Sequence, residues 1–302
     1  MRRTSPYKER SSKSLPLASI KRDSPSDDSS IPALPRVYET VKPQHLGRSG
    51  DEFVQCLLVR DVTSGPRERY SLSFQLPSHG GNGKVTVVPA MVAQKENSIG
   101  GHYNLFDLSR AGPEAALTKK AGHFVGKLRQ DVKGGSGRRR KSSLAIFAKK
   151  SMSETAATST VSYTLLNANK DKDKLAVYIY DAPGLVTQWR EGQPPRKLRA
   201  ILASGQSNCG DTAVVPDDWT KPNQQAVVEL KTKEPFFDVG QYRLNFRGRV
   251  TVPSVKNFQL EDDEGKVLLQ FGRVSDHKFH LDFCHPFCPA TAFAAVLTQF
   301  DI

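Results

Sequence analysis

The 302 residues carry a formal net charge of +13, 37% hydrophobic content and four cysteines, enough chain for one large domain or two small ones. No apolar run approaches the roughly 18–20 residues that cross a bilayer, and the basic start "MRRTSPYKER" is not followed by a signal core, which argues against a membrane-spanning or secreted chain. Four thiols are too sparse for a disulfide framework, so an intracellular protein with free cysteines is expected.

The charge is localised. Residues 1–50 hold ten Lys/Arg against five Asp/Glu, residues 127–150 hold nine against one, and the remainder is balanced. Any polyanion partner, whether lipid, nucleic acid or acidic protein, is expected at those two places.

Residues 1–47 are rich in Ser, Pro and Lys, with few aromatics and no periodicity, and read as a disordered basic tail. Ser5-Pro6 and Ser24-Pro25 are candidate phosphorylation sites within it. From Phe53 onward short strands follow. "YSLSFQL" sets Tyr70, Leu72, Phe74 and Leu76 against Ser71, Ser73 and Gln75. "KVTVV", "LAVYIY", "LRAIL", "QAVVEL" and "KVLLQF" are further β-branched or aromatic runs. "YRLNFRGRV" and "HKFHLDF" alternate like the first. Strands at this spacing predict a barrel or a sandwich. "VKGGSGRRRKSS" reads as a flexible basic connection, and "KKSMSETAATSTVSY" and "NANKDKDK" as long hairpin loops. The last segment, "PATAFAAVLTQF", is apolar on nearly every side, with Pro289 suited to a first helical position. A helix this short cannot span a membrane and must be buried, as it would be when threaded through a β-barrel.

Cys284, His285 and Cys288 lie within five residues, with His277 and His280 upstream. On a strand His280 and Cys284 would stand roughly 13 Å apart. The four ligands of a structural zinc site, paired at both ends, are not supplied elsewhere. No metal and no cofactor are expected. "GGNGK" lacks the spacing of a phosphate loop, "EDDEG" reads as a solvated turn, and no nucleophile elbow appears, so no enzyme is expected.

"LNFRGRVTVPSVKNFQL" (244–260), "LLQFGRV" (268–274) and "HLDFCHPFCPATAFAAVLTQFD" resemble the C-terminal signature of the tubby family, and "DLSR", "VGKLRQD", "PPRKL" and "ELKTKEP" extend the match upstream. The resemblance covers roughly residues 53–302. Cys288 and Pro286 match family positions before the helix. It implies a mainly β domain over 48–302: a closed antiparallel barrel of about twelve strands enclosing the hydrophobic C-terminal helix, with a basic insertion near 133–160. It also implies binding of phosphoinositides, particularly phosphatidylinositol 4,5-bisphosphate, at a basic surface cavity. The expected protein is a membrane-associated adaptor in membrane-protein or ciliary trafficking. Its partners would be an anionic phosphoinositide membrane and a membrane-protein cargo or trafficking complex. It would be a monomer in the cytoplasm, peripheral at the plasma or ciliary membrane, with a nuclear pool also open.

Lys127 and Arg129 in "GKLR" and Arg196 and Lys197 in "PPRKL" match family positions and are the expected headgroup ligands. The family's dense basic loop is replaced here by "VPAMVAQKENSIGGHYNLF", whose one basic residue, Lys95, joins the candidate set. Arg138, Arg139, Arg140 and Lys141 form an auxiliary basic patch. Arg247, Arg249, Lys256 and Arg273 are expected to be structural, with the arginines beside Gly in "RGRV" and "FGRV" bridging strands. The alternative is a basic nuclear or nucleic-acid-associated regulator independent of lipid selectivity. No aromatic platform interleaved with basic residues supports nucleic-acid reading.

Overall fold

The computed structural model describes residues 53–63, 67–77, 85–96, 101–109, 111–112, 114–131, 159–168, 173–182, 197–204, 214–220, 226–238 and 241–301. The tail expected over 1–47, the "GGNGK" turn, Arg138–Lys141 and Arg196 lie outside these residues.

Among the described residues the strands are β1 (Val54–Asp61), β2 (Arg69–Pro77), β3 (Val85–Lys95), β4 (Tyr103–Asp107), β5 (Phe124–Asp131), β6 (Ser159–Asn167) and β7 (Lys174–Ala182). They continue with β8 (Lys197–Ala203), β9 (Val227–Thr232), β10 (Phe236–Asp238), β11 (Gln241–Arg243), β12 (Phe258–Glu261), β13 (Val267–Ser275) and β14 (Lys278–Phe283). Twelve of them close a barrel in the order β1-β14-β13-β12-β9-β8-β7-β6-β5-β4-β3-β2, and β10 and β11 pair separately. Every neighbouring pair is antiparallel, so the barrel is a meander interrupted only by the small hairpin between β9 and β12. Closure removes the sheet edges that an open meander would expose.

Period-two patterning decides which side of each strand faces inward. Tyr70, Leu72 and Phe74 of β2 and Phe279, Leu281 and Phe283 of β14 enter the core. The core is completed by α1 (Pro289–Leu297), all nine of whose residues are buried. Alanines at 290, 292, 294 and 295 keep this helix slim enough for the surrounding strands, while Phe293 and Leu297 fill space between them. Pro289 stands in the first turn after the N-cap Cys288, and Thr291 closes a capping box with it. Strand β7 ties down both ends. The Tyr178 hydroxyl donates to the Thr291 carbonyl at 2.6 Å, and the Tyr180 hydroxyl meets Thr298 Oγ1 at 2.7 Å. Each is a buried polar group that finds its partner inside the barrel.

Three sequence expectations need correction. Residues 159–163, read as the end of a hairpin loop, open strand β6, where Tyr163 and Leu165 point into the core. "YRLNFRGRV" alternates like a strand but is extended only to Arg243. Beyond it the Asn245 side chain accepts from the Arg247 amide at 2.9 Å, and Arg247 (φ 51°) and Gly248 (φ 77°) turn the chain left-handed. The segment then crosses the outside of the barrel and covers polar side chains of β13 and β14. Free thiols are found at Cys56 and Cys284, but Cys288 is disulfide-bonded; spacing along the chain does not reveal which sulfurs a closed barrel brings together.

His280 and Cys284 make packing contacts with backbone carbonyls. His280 Nδ1 lies 2.7 Å from the Arg249 carbonyl, and Cys284 Sγ lies 3.6 Å from that of Leu268. Among the described residues no group of three His, Cys, Asp or Glu is placed to hold a metal ion. "EDDEG" is a turn between β12 and β13, in which Asp262 Oδ1 accepts from the amides of Glu264 and Lys266 at 3.1 and 2.9 Å. No helix among the described residues is long and apolar enough to cross a membrane.

Of the signature basic residues, Arg249 and Lys256 join separate parts of the structure, whereas among the described residues the Arg273 guanidinium reaches only its own turn and Arg247 is exposed. Arg249 clamps Asp282 of β14 with two hydrogen bonds of 2.9 and 2.6 Å and reaches Gln75 of β2 at 2.8 Å. Lys256 donates to the Gln299 carbonyl at 2.6 Å, holding the end of the helical segment. Arg273 pairs with Asp276 across the β13–β14 turn, and its amide donates to Asn257 Oδ1 at 2.9 Å.

Candidate anion-binding face on β4 and β5

Strand β5, "FVGKLRQD", gives the site its geometry. Val125 and Leu128 enter the core, which turns Lys127 and Arg129 to the outer face. Two residues of the same parity stand about 6.6 Å apart along a strand. A register shift beside Leu105 and Phe106 resets the alternation, so that Phe124 packs outside against Phe106 with ring centroids 5.4 Å apart. That aromatic pair anchors the strand beside the two cations.

Gly126 is needed on steric grounds. A Cβ there would stand 2.1 Å from the Leu166 carbonyl oxygen of β6. Gly126→Ala is expected to push β5 away from β6 and to cost about 1–3 kcal/mol, as overpacking usually does. Urea denaturation measures this; an unchanged midpoint would contradict the tight β5–β6 approach.

Pairing carries the site across the sheet. Gln94 of β3 stands opposite Asn104 of β4, Asn104 opposite Lys127 and Lys127 opposite Leu166. In the adjacent row the Glu96 amide donates to the His102 carbonyl at 2.7 Å, and Arg129 stands opposite Thr164. Tyr103 opposite Leu128 makes Arg129 the residue next to His102. The Thr164 hydroxyl is taken by Asp131 Oδ2 at 2.6 Å. Arg129 is exposed and, among the described residues, holds no ion pair. Asn104 is buried at 5% exposure, and its amide oxygen has no hydrogen-bond partner.

Besides Asp131, bonded to Thr164, the acidic side chain among the described residues of this row is Glu96. The Lys119 amine from the β4–β5 connection pairs with it. That hydrogen bond holds the Glu96 carboxyl below its ordinary range, against a smaller opposing effect of burial; the charges of Lys119, His102 and Lys127 act in the same direction. Four cationic or potentially cationic groups therefore converge here: Lys119, Lys127, Arg129 and His102. Such a face suits a ligand with several phosphate groups, which requires donors from more than one strand.

The other sequence candidates lie elsewhere. Lys95 belongs to the opposite side of β3, where it forms a 2.8 Å ion pair with Asp301; its side chain is 12% exposed and that of Asp301 4%. It stands 5.8 Å from the Tyr103 ring and holds the end of the chain against the barrel. Lys197 begins β8, three strands from β5 and thus about 14 Å around the sheet. It pairs with Glu234 at 2.8 Å, and this bond keeps the Glu234 carboxyl below its usual range. The pair is followed across the same surface by Arg199–Glu229 at 3.2 Å and Lys233–Glu261 at 2.6 Å, an internally neutralised ladder. Lys127 and Arg129 are thus brought together, while Lys95 and Lys197 are not. Sequence reading missed Lys119, His102 and Asn104. Only the doublet Lys119-Lys120 in the connection gave a signal, and nothing local showed that it folds back onto β3.

Residues 45–302 match the model of the Tub family. The chain belongs to the Tub family. Among the curated relatives of this Tub-family chain, Protein king tubby 1 of Aedes aegypti is 33% identical over 202 residues, covering 61% of this chain and 42% of that protein. Tubby-related protein 3 of Homo sapiens is 28% identical over 262 residues, covering 82% and 53%. Tubby-related protein 1 of Mus musculus is 38% identical over 119 residues, covering 35% and 22%. The chain thus matches about half or less of the length of these relatives. The Tub-family signature maps onto structural clamps at Arg249 and Lys256, whereas "GKLR" maps onto the cationic face.

Proposed function

We propose that this Tub-family barrel is a phosphoinositide-binding, membrane-associated adaptor rather than an enzyme. Its headgroup site is the outer face of β4 and β5, with Lys127 and Arg129 as the main ligands. The observation that carries this reading is the exposed, unneutralised Arg129, about 6.6 Å from Lys127 on one strand face. A polyphosphorylated ring presents several anionic groups, and two cations on adjacent same-face positions can each take one. The Asn104 amide oxygen, opposite Lys127, adds a neutral acceptor for a hydroxyl of the inositol ring. Arg138–Lys141, which begin seven residues after the end of β5 in the sequence, would add non-specific attraction to an anionic bilayer. Such attachment is peripheral and weakens with salt. Transport of membrane-protein cargo, including cargo bound for cilia, is the role the family reading suggests.

Titration of the isotope-labelled chain with soluble inositol 1,4,5-trisphosphate tests the site. Amide shifts concentrated on residues 102–104 and 126–130 are the expected outcome. Shifts absent there, or confined to β8 and β9, would sink the assignment.

A further inference from the structure

We propose that Lys119, carried by the β4–β5 connection, is a third phosphate ligand of this face, and that Glu96 holds a phosphate's place while the site is empty. This inference rests on the headgroup reading above and names a ligand and a selectivity device within it.

Lys119 is held in position by more than its charge. The Gly112 amide donates to the Leu108 carbonyl at 2.8 Å, and the Ala121 amide to that of Thr118 at 3.0 Å. Just after Lys119, the Phe124 amide donates to the Ala121 carbonyl at 3.1 Å. The His123 ring lies 3.0 Å from the Ala116 carbonyl and 5.9 Å, centroid to centroid, from Phe106. These contacts fold the connection back so that the Lys119 amine meets Glu96 in the same row as His102 and Arg129.

The contact is well suited to exchange. The two side chains are 44% and 37% exposed, so water screens the pair and parting it costs little. An ammonium offers three donors, of which a carboxylate oxygen takes one. A phosphate monoester brings more charge and three acceptor oxygens, so it outcompetes the carboxylate for the same amine. Glu96 then faces the bound anion as a like charge. Before that exchange Glu96 competes for the Lys119 amine, and a weakly charged lipid displaces it less readily than a polyphosphorylated one does, which sharpens selection.

The test is co-sedimentation of the full chain with vesicles containing phosphatidylinositol 4,5-bisphosphate, or phosphatidylserine at matched charge. Wild type, Glu96→Gln, Lys119→Ala and the double variant are compared. Both side chains are at the surface, so the variants retain the barrel. Lys119→Ala is expected to weaken phosphoinositide binding about tenfold, in line with the loss of one charge-assisted hydrogen bond. Glu96→Gln is expected to tighten binding to the phosphoinositide vesicles, because it frees the Lys119 amine and removes a like charge. The double variant should bind about tenfold more weakly than Glu96→Gln alone. Equal binding by those two variants would show that Lys119 merely neutralises Glu96, and would overturn the inference while leaving the headgroup site intact. A wild type with no preference for phosphoinositide vesicles would instead overturn the headgroup reading, and this inference with it. Soluble inositol 1,4,5-trisphosphate is expected to compete with the vesicles; failure to compete would count against phosphate as the ligand.

Discussion

Replacing Arg249 with alanine is expected to destabilise the barrel by about 3–5 kcal/mol, the usual cost of removing one partner from a buried ion pair. Asp282 is 2% exposed in its side chain, and Arg249 is 21% exposed, which places the loss toward the lower end. The guanidinium makes two bonds to Asp282 and one to Gln75, so it joins β14 to β2 across β1. Without it the carboxylate keeps only Gln270, whose amide donates at 2.7 Å, and a charge stranded in the sheet must find water. Arg249→Lys should recover only part of the loss, because a single ammonium cannot reproduce the planar two-point contact. Urea unfolding measures both variants. A cost below about 1 kcal/mol for the alanine variant would mean that the pair behaves as an exposed one.

Phe293→Ala is the second large loss, again about 3–5 kcal/mol. Phe293 is completely buried in the middle of α1. Large-to-small changes cost most where the surroundings cannot relax into the space left behind. Here the surroundings are a closed ring of hydrogen-bonded strands, and collapsing inward would require breaking the ladder. The same unfolding experiment decides it. A change smaller than about 1.5 kcal/mol would show that the helix shifts freely inside the barrel. Retention of a small apolar probe in the cavity would be an independent sign that the ring had kept its shape.

The fold was legible wherever one face of a strand is apolar. "YSLSFQL" and "HKFHLDF" show period two because one side packs on α1 and the other meets water or polar cover. The apolar terminal helix was legible for the complementary reason: having no polar face, it has to be surrounded. "YRLNFRGRV" misled because its alternation continues into residues that turn back over the barrel. Its decisive feature is the left-handed pair Arg247-Gly248, of which only the glycine is a visible signal. The start of β6 was obscured by Ser and Thr, which suit both loops and the outer face of a strand.

The site was less legible than the fold. Lys127 and Arg129 could be read because "GKLR" matches family positions, and their alternation with the buried Leu128 explains why both face outward. Lys95 illustrates the limit: a basic residue in the right stretch faces the other side of the sheet, in step with Met91 and Ala93 of the core. Lys119 and Glu96 are 23 residues apart, and only the fold of the connection joins them. Cross-strand neighbours such as Asn104 and Lys127 depend on register, which no local pattern states.

The most direct test of the headgroup site is co-sedimentation of wild type, Lys127→Ala and Arg129→Ala with vesicles carrying phosphatidylinositol 4,5-bisphosphate, against phosphatidylserine vesicles of equal charge. The expected result is selective wild-type binding that falls about tenfold or more in either variant, with folding unchanged because Arg129 is exposed and Lys127 half-buried. Equal wild-type binding to both vesicles, unaffected by either substitution, would contradict a headgroup site on β4 and β5.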